Sequence, residues 1–451
     1  MTNVWAFLVA ILVLVTIHEW GHYWVAKRCG VEIEKFSIGF GKPLFSWTNK
    51  VGTVFCIAAI PLGGYVKMKG EYAIATDENQ MSQGKGSFAS KTVWQRMAIV
   101  AAGPVINLLF ALLIFMGLGY GDTYVTPTQV QAPAAQTLAA GLGLQTGDTI
   151  IRVNGREAND WSVVNRGVLD AVFERENLVL HWRNAAGVEH SAELPTASLN
   201  IEEKGWNDKI GLTPKVVPLN VGRVVDSSGA AAQAGLQQHD VIVSVNGQSI
   251  DGREAFIKII QASAGQSLNV SVIRDQQTLS LNLTPVLKGR PIVENGEVVT
   301  KVVGTIGAEL LTTQVKVVHV GILEAIPRGF NMTYDAIALT VKGLYKIATG
   351  QLSLKNIGGP VSIAQVMGEG AKSSVTDFVS RLAWLSISLG VLNLLPIPML
   401  DGGHLMYYVV ELIKGSPVSE RALALGQTVG MAFLMMFMGI AFYNDFMRLF
   451  G

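Results

Sequence analysis

Four stretches of the chain are apolar over the roughly 20 residues that a bilayer-crossing helix needs: Val4 to Ala26, Met97 to Tyr120, Phe378 to Leu400 and Leu425 to Phe442. Between the second and third, the pattern changes to short apolar and polar alternations, such as those spanning residues 268 to 283, separated by Gly and Asn. A two-residue period of that kind predicts β-strands. Further on, Ile326, Phe330, Tyr334, Ile337, Val341, Leu344 and Ile347 recur at helical spacing, and Pro327 suits a first turn. Residues 322–377 are therefore expected to form an amphipathic helix and a connector. The helix would rest on the membrane surface or cover the membrane-embedded core. The expected class is a polytopic α-helical membrane protein with four transmembrane helices at 1–26, 97–120, 378–400 and 425–442, and an inserted β-rich segment.

Composition sharpens this. Of 451 residues, 49% are hydrophobic and only 15% charged, against about 25% charged in soluble proteins. The formal net charge is +1, so no basic field calls for nucleic acid, and none is expected as a partner. Cys29 and Cys56 can build neither a disulfide framework nor a thiolate zinc site. The first apolar run is expected to stay attached, because residues 1–5 carry no positive charge and no small-x-small cleavage site follows. Residues 27–96 hold ten Lys or Arg, which by the positive-inside rule puts that loop in the cytoplasm. Both termini and the large segment between the second and third spans would then lie outside.

That segment contains a repeat. Gly143 to Gly155 (GLQTGDTIIRVNG) returns as Gly235 to Gly247 (GLQQHDVIVSVNG), with eight of thirteen positions identical. Each copy reads as a turn, an alternating strand and an Asn-Gly hairpin signal. The pattern resembles a circularly permuted bacterial PDZ domain, with two tandem modules at 127–217 and 220–311. The resemblance implies a peptide groove late in each module, at Ile210, Gly211 and Leu212 and at Ile306, Gly307 and Ala308. An extended peptide would dock there by strand addition. The alternative is a pair of bulky filters that bind no peptide.

The chemistry lies in the first span, at His18-Glu19-Trp20-Gly21-His22. On a helix, residues four apart share a face, so both imidazoles can reach one ion with a carboxylate alongside. This HExxH pattern supplies two zinc ligands and a general base that takes a proton from the attacking water. Ionisable groups at membrane depth are costly and are seldom kept without a function. A third ligand is still needed. Asp401, placed by the chain at the cytoplasmic end of the third span after Pro396 and Pro398, is the best candidate, and His404 is its competitor. At about 1.5 Å per residue, His18 lies roughly 21 Å in from Val4, near the same side. Asn393 would offer an amide to substrate or a developing oxyanion, or else a helix-to-helix hydrogen bond.

HExxH in the first span, Gly103-Pro104-x-x-Asn107 in the second, Leu400-Asp401-Gly402 in the third and the paired PDZ-like modules together resemble the bacterial site-2 protease family of intramembrane zinc metalloproteases. The resemblance covers nearly the whole chain. It implies one Zn2+ held by His18, His22 and Asp401, with Glu19 activating water. It also implies cleavage within transmembrane segments of single-span proteins, namely a pre-cleaved anti-sigma factor and remnant signal peptides. The setting would be regulated proteolysis in an envelope stress response at a bacterial inner membrane, with the modules and termini periplasmic.

A helical peptide bond must be unwound before hydrolysis, and something must pair with the unwound strand. Residues 51–69 lack a helical pattern; Val, Ile, Phe and Tyr flank Gly63-Gly64, with Pro61 at an edge or bend. In the family this stretch forms a membrane-reentrant β-hairpin. Gly63, Gly64, Tyr65, Val66, Lys67 and Met68 are thus candidate substrate-binding residues, with a plain surface hairpin as the alternative. Two other classes fit less of the chain: a scaffold whose polar groups only join helices, and a zinc transporter.

Overall fold

The computed structural model describes residues 2–70, 86–226, 228–250, 252–294, 297–313 and 316–450. The chain divides into two compact units, one formed by residues up to Gly121 with those from His319 onward, the other by Asp122–Val318.

The first unit is helical. Its helices are α1 (Thr2–Arg28), α2 (Val93–Leu118), α3 (Ile322–Ala348), α4 (Pro360–Ser373), α5 (Val375–Leu394), α6 (Asp401–Lys414) and α7 (Glu420–Phe450). Four of them, α1, α2, α5 and α7, are long and apolar enough to cross a membrane. Lipid offers no hydrophobic incentive for helices to associate, so close packing through small residues must do so. A Cβ on Gly21 of α1 would come within 2.5 Å of the Ala102 carbonyl oxygen of α2, and one on Gly390 of α5 within 3.0 Å of the Pro104 carbonyl oxygen. Around these close approaches, Ala6, Ala10 and Leu14 pack on Met367 and Leu382, while Ala111 and Phe115 pack on Ala336, Ala383 and Ile387.

Two elements differ from expectation. The third apolar stretch does not stay helical to Leu400; α5 stops at Leu394, and Leu395 is extended (φ −62°, ψ 143°) because it precedes Pro396. Met399 takes φ 84°, and Asp401 opens a separate helix, α6. Pro327 sits inside α3 rather than in its first turn, since the helix begins at Ile322. The buried stripe of α3 is Ala325, Gly329, Thr333 and Ala336, whereas Phe330 and Tyr334 from the large apolar set are exposed. Small residues allow the close approach to α2, where a Cβ on Gly329 would meet the Met116 backbone nitrogen at 2.9 Å.

Between α1 and α2 lie two long strands, β1 (Ile33–Thr48) and β2 (Val54–Met68), which pair antiparallel. Both bend. Residues 54–58 pair with 43–48, residues 54–57 also with 35–38, and 64–68 with 33–38. The result is a small sheet in which residues 64–68 form one outer edge. The hairpin turn is at 49–53, closed by the Asn49 side chain accepting from Val51 and Thr53. Gly63 and Gly64 are therefore within a strand rather than at a turn.

In the second unit, strands Thr149–Val153, Leu178–Arg183 and Glu189–Leu194, with the short Arg156–Glu157, form a four-stranded antiparallel sheet against helix Trp161–Glu174. Its core holds Val130, Ile150, Val164, Leu180 and Ile210. A second sheet runs in the order Gln277–Leu283, Leu268–Arg274, Val241–Val245, Val216–Val224, Ala308–Thr313, over a separate core around Val221, Phe256 and Val270. The sequence repeat recurs in structure. Asp148 accepts from the Gln145 amide and Asp240 from the Gln237 amide, and Asn154 and Asn246 both take positive φ (46° and 50°).

Candidate metal centre

One helical turn brings His18 and His22 to the same face of α1, each only 8% exposed. Their Nε2 atoms stand 3.2 Å apart. Asp401 Oδ2 lies 3.1 Å from His18 Nε2 and 3.5 Å from His22 Nε2. Two imidazole lone pairs and a carboxylate aimed at one point repel each other unless a cation or a proton lies between them. The donor set, with its ligand atoms all within 4.8 Å of one another, is the two-His-and-carboxylate set of hydrolytic zinc sites. It fits a zinc ion.

The surroundings orient these side chains. His22 donates its Nδ1–H to the Ile99 carbonyl oxygen at 2.9 Å, which leaves the Nε2 lone pair for a metal. Asn107 is fully buried and places its side-chain Nδ2 3.3 Å from His18 Nδ1, while its Oδ1 has no hydrogen-bond partner. Ser386 of α5 donates to the Asn107 backbone carbonyl at 2.8 Å, fixing this part of α2 against α5. Asp401 is placed by the break at Pro396 and Pro398, and Gly402 and Gly403 are packed against that break: a Cβ on Gly402 would meet the Leu395 carbonyl oxygen at 2.1 Å.

A cavity of about 650 Å³ opens on these three side chains. Glu19, Phe40, Tyr65, Val66, Lys67, Met68, Phe88, Val100, His404 and Tyr408 also line it. The Val66 backbone N–H donates to the Glu19 carboxylate, so the outer edge of β2 faces the site. Gly64 is required where β2 crosses α1, since a Cβ there would press on the Ser37 carbonyl oxygen at 2.8 Å, on Val15 at 3.0 Å and on Glu19 at 3.2 Å. Gly63 is covered by the Phe40 ring.

Of the residues singled out from sequence, His18, Glu19, His22, Asp401 and Tyr65 to Met68 thus share one cavity. His404 lines it but is not grouped with the three converging ligands, and half-buried Asn393, on the last turn of α5, is not among its lining residues. In the first β module, Ile210 is buried in the core at the end of a short helix and Gly211 caps it with φ 78°. Among the described residues only an isolated bridge, Val130 with Pro214, follows. In the second, Ile306 is buried, Gly307 has φ 70°, and Ala308 opens the sheet's edge strand. The sequence pattern contains Asn107 but assigns its amide no role, and it does not point to the Ile99 carbonyl at all. The Gly103-x-x-x-Asn107 spacing was the only signal for the first, and a backbone carbonyl leaves none.

The sequence pattern of Peptidase family M50 matches residues 6–437. A "Putative zinc metalloprotease" of Xylella fastidiosa (strain Temecula1 / ATCC 700964) is 38% identical over 454 residues, covering 99% of this chain and 98% of the relative. "Regulator of sigma-E protease RseP" of Escherichia coli (strain K12) is 38% identical over 470 residues, covering 98% of each. "Protease RseP" of Yersinia pestis is 37% identical over 454 residues, again covering 98% of each. A family match across nearly the whole chain, joined to a two-His-and-carboxylate cluster, leads to one conclusion: this chain belongs to peptidase family M50, the site-2 proteases, and is a zinc metalloprotease.

Proposed function

We propose that the chain cuts peptide bonds within transmembrane segments of single-span membrane proteins, with His18, His22 and Asp401 holding the zinc and Glu19 as general base. The observation that carries this reading is the convergence of His18 Nε2, His22 Nε2 and Asp401 Oδ2 within 3.1 to 3.5 Å, beside Glu19, on a helix apolar enough to cross a membrane. A zinc ion there supplies Lewis acidity, which polarises the scissile carbonyl and makes water nucleophilic near neutral pH.

Glu19 takes the proton of the attacking water and returns it to the leaving amine. The Val66 N–H holds its carboxylate in place. Substrate enters as an extended strand beside residues 64–68, whose outer edge adds to it by main-chain hydrogen bonds. Tyr65, Val66, Lys67 and Met68 form that edge, Gly63 and Gly64 let it approach α1, and Asn393 on α5, outside the cavity lining, is a weaker candidate for substrate contact.

Given four spans, the ten Lys and Arg of residues 27–96 favour a cytoplasmic loop carrying the hairpin and periplasmic termini. The β modules are read as tandem PDZ domains. The edge strand Ala308–Thr313 favours peptide docking at Ile306, Gly307 and Ala308, and the isolated bridge of Val130 with Pro214 in place of such a strand favours a filter role around Gly211 and Leu212. The name of the Escherichia coli relative supports a place in sigma-E control. The substrates of this reading are a shortened anti-sigma factor and remnant signal peptides in the inner membrane.

The test is incubation of purified wild-type and Glu19→Gln protein with a detergent-solubilised single-span substrate, followed by product masses. Cuts inside the apolar stretch by wild type alone are expected. Cuts confined to soluble flanks, or equal cutting by both, overturn the reading.

A further inference from the structure

A histidine that ligates through Nε2 carries its remaining proton on Nδ1, and that N–H needs an acceptor to fix the ring. His22 has one, the Ile99 carbonyl, which can only accept. His18 Nδ1 has beside it the Asn107 amide, presented through Nδ2, which can only donate. With His18 loaded through Nε2, two N–H groups would face each other at 3.3 Å, while 0% exposed Asn107 keeps an acceptor, Oδ1, buried and unpaired. A half-turn of the amide about its Cβ–Cγ bond removes this mismatch.

Given the metal site proposed above, we infer that Asn107 is a positioning residue of the zinc centre. When metal binds, its amide turns so that Oδ1 accepts the His18 Nδ1–H, fixing the ring in the Nε2-ligating tautomer. The backbone around it is suited to this. The Ser386 hydroxyl donates to the Asn107 carbonyl, and α5 packs so tightly on α2 one turn earlier that a Cβ on Gly390 would meet the Pro104 carbonyl oxygen. The helix is thus held while only the side-chain amide rotates. The two ligand histidines then receive different acceptors, a backbone carbonyl that is always oriented and an amide that reorients on loading.

The experiment measures zinc affinity of the full chain by chelator competition for wild type, Asn107→Leu, Asn107→Asp and His22→Ala, and records ¹⁵N spectra of zinc-loaded wild type labelled at histidine. Asn107→Leu, nearly isosteric but without an acceptor, should weaken zinc about 10- to 100-fold. Asn107→Asp, which keeps the acceptor, should stay near wild type or bind more tightly. The spectra should show His18 protonated at Nδ1 and metal-bound at Nε2. Equal affinity across wild type and both Asn107 variants, or equal loss in both, overturns the inference. So does a His18 that ligates through Nδ1, a result obtained on wild type and independent of how any variant folds. If His22→Ala binds zinc as wild type does, the underlying metal site is wrong; if it loses zinc while the Asn107 variants do not, only this inference fails.

Discussion

Gly103 of α2 abuts the imidazole of His22: a Cβ at position 103 would stand 2.3 Å from His22 Nε2 and 2.8 Å from His18 Cε1. The second helix is bare where both ligand rings turn past it. Gly103→Ala should raise the intrinsic helix propensity of α2 by about 1 kcal/mol, yet it drives both rings off the geometry in which their Nε2 atoms converge. We expect a chain that folds and loses zinc affinity by more than about 100-fold, beyond what loss of one outer hydrogen bond does. Zinc content after dialysis, with helicity by circular dichroism as the control, checks this; wild-type zinc in the alanine variant would show that the close approach has no bearing on the metal.

Glu19 and His22 should separate chemistry from metal binding. Glu19→Gln keeps the hydrogen-bonding shape but no longer accepts a proton, so zinc per chain should stay at wild type while turnover falls about 10²- to 10⁴-fold. His22→Ala removes a ligand and should lose both. Metal analysis beside single-turnover cleavage distinguishes the two, and zinc loss in Glu19→Gln would make Glu19 a ligand rather than a base.

The edge of β2 should matter for substrate and not for metal. Proline placed singly from Tyr65 to Met68 removes a backbone N–H and fixes φ. Cleavage should drop by about tenfold or more with zinc content unchanged. Proline at Val66 also strips Glu19 of its backbone donor, so the other three positions decide the matter. Undiminished cleavage in all three ends the clamp proposal.

In the second β module, Arg274 grips buried Asp240 with two 2.7 Å hydrogen bonds and donates a third to the Gly235 carbonyl. Burial alone would raise the Asp240 pKa, but the guanidinium and the Gln237 amide hold it below the ordinary carboxylate range. A depressed carboxylate stabilises the fold above its unfolded pKa, near 3.9, and loses that contribution as the pH falls through its folded value. Arg274→Met should therefore cost about 2 kcal/mol at neutral pH, and the difference from wild type should shrink as the pH falls through the acid range, because burial without the guanidinium raises the pKa of Asp240 in the variant. Hydrogen exchange of the Val241–Val245 amides against pH reads this directly. A difference that stays constant through that range would assign the cost to packing instead.

The local parts of this protein were legible in the chain. The i, i+4 pair of His18 and His22 needs only helical geometry, and the apolar runs need only length. The repeat at Gly143 and Gly235 carries its own turn chemistry, which returns in the paired Asp and Asn contacts of both modules. The large apolar set marked α3 as an amphipathic helix but did not show which of its faces meets α2, where the stripe consists of Ala, Gly and Thr. Gly63-Gly64 marked a hairpin segment in the chain, whereas close approach to Phe40 and to α1 is what requires glycine there.

By itself, then, the sequence determined which residue types could do metal chemistry and on which element each sits, since helical period, strand period and proline stops act over a few residues. Tertiary structure alone decided that Asp401 meets the two imidazoles, that Ile99 and Asn107 address their far nitrogens, and that the β2 edge faces Glu19. Those pairings join residues far apart in the chain, and they depend on how closely small residues let α1, α2 and α5 approach, a distance that no local pattern encodes.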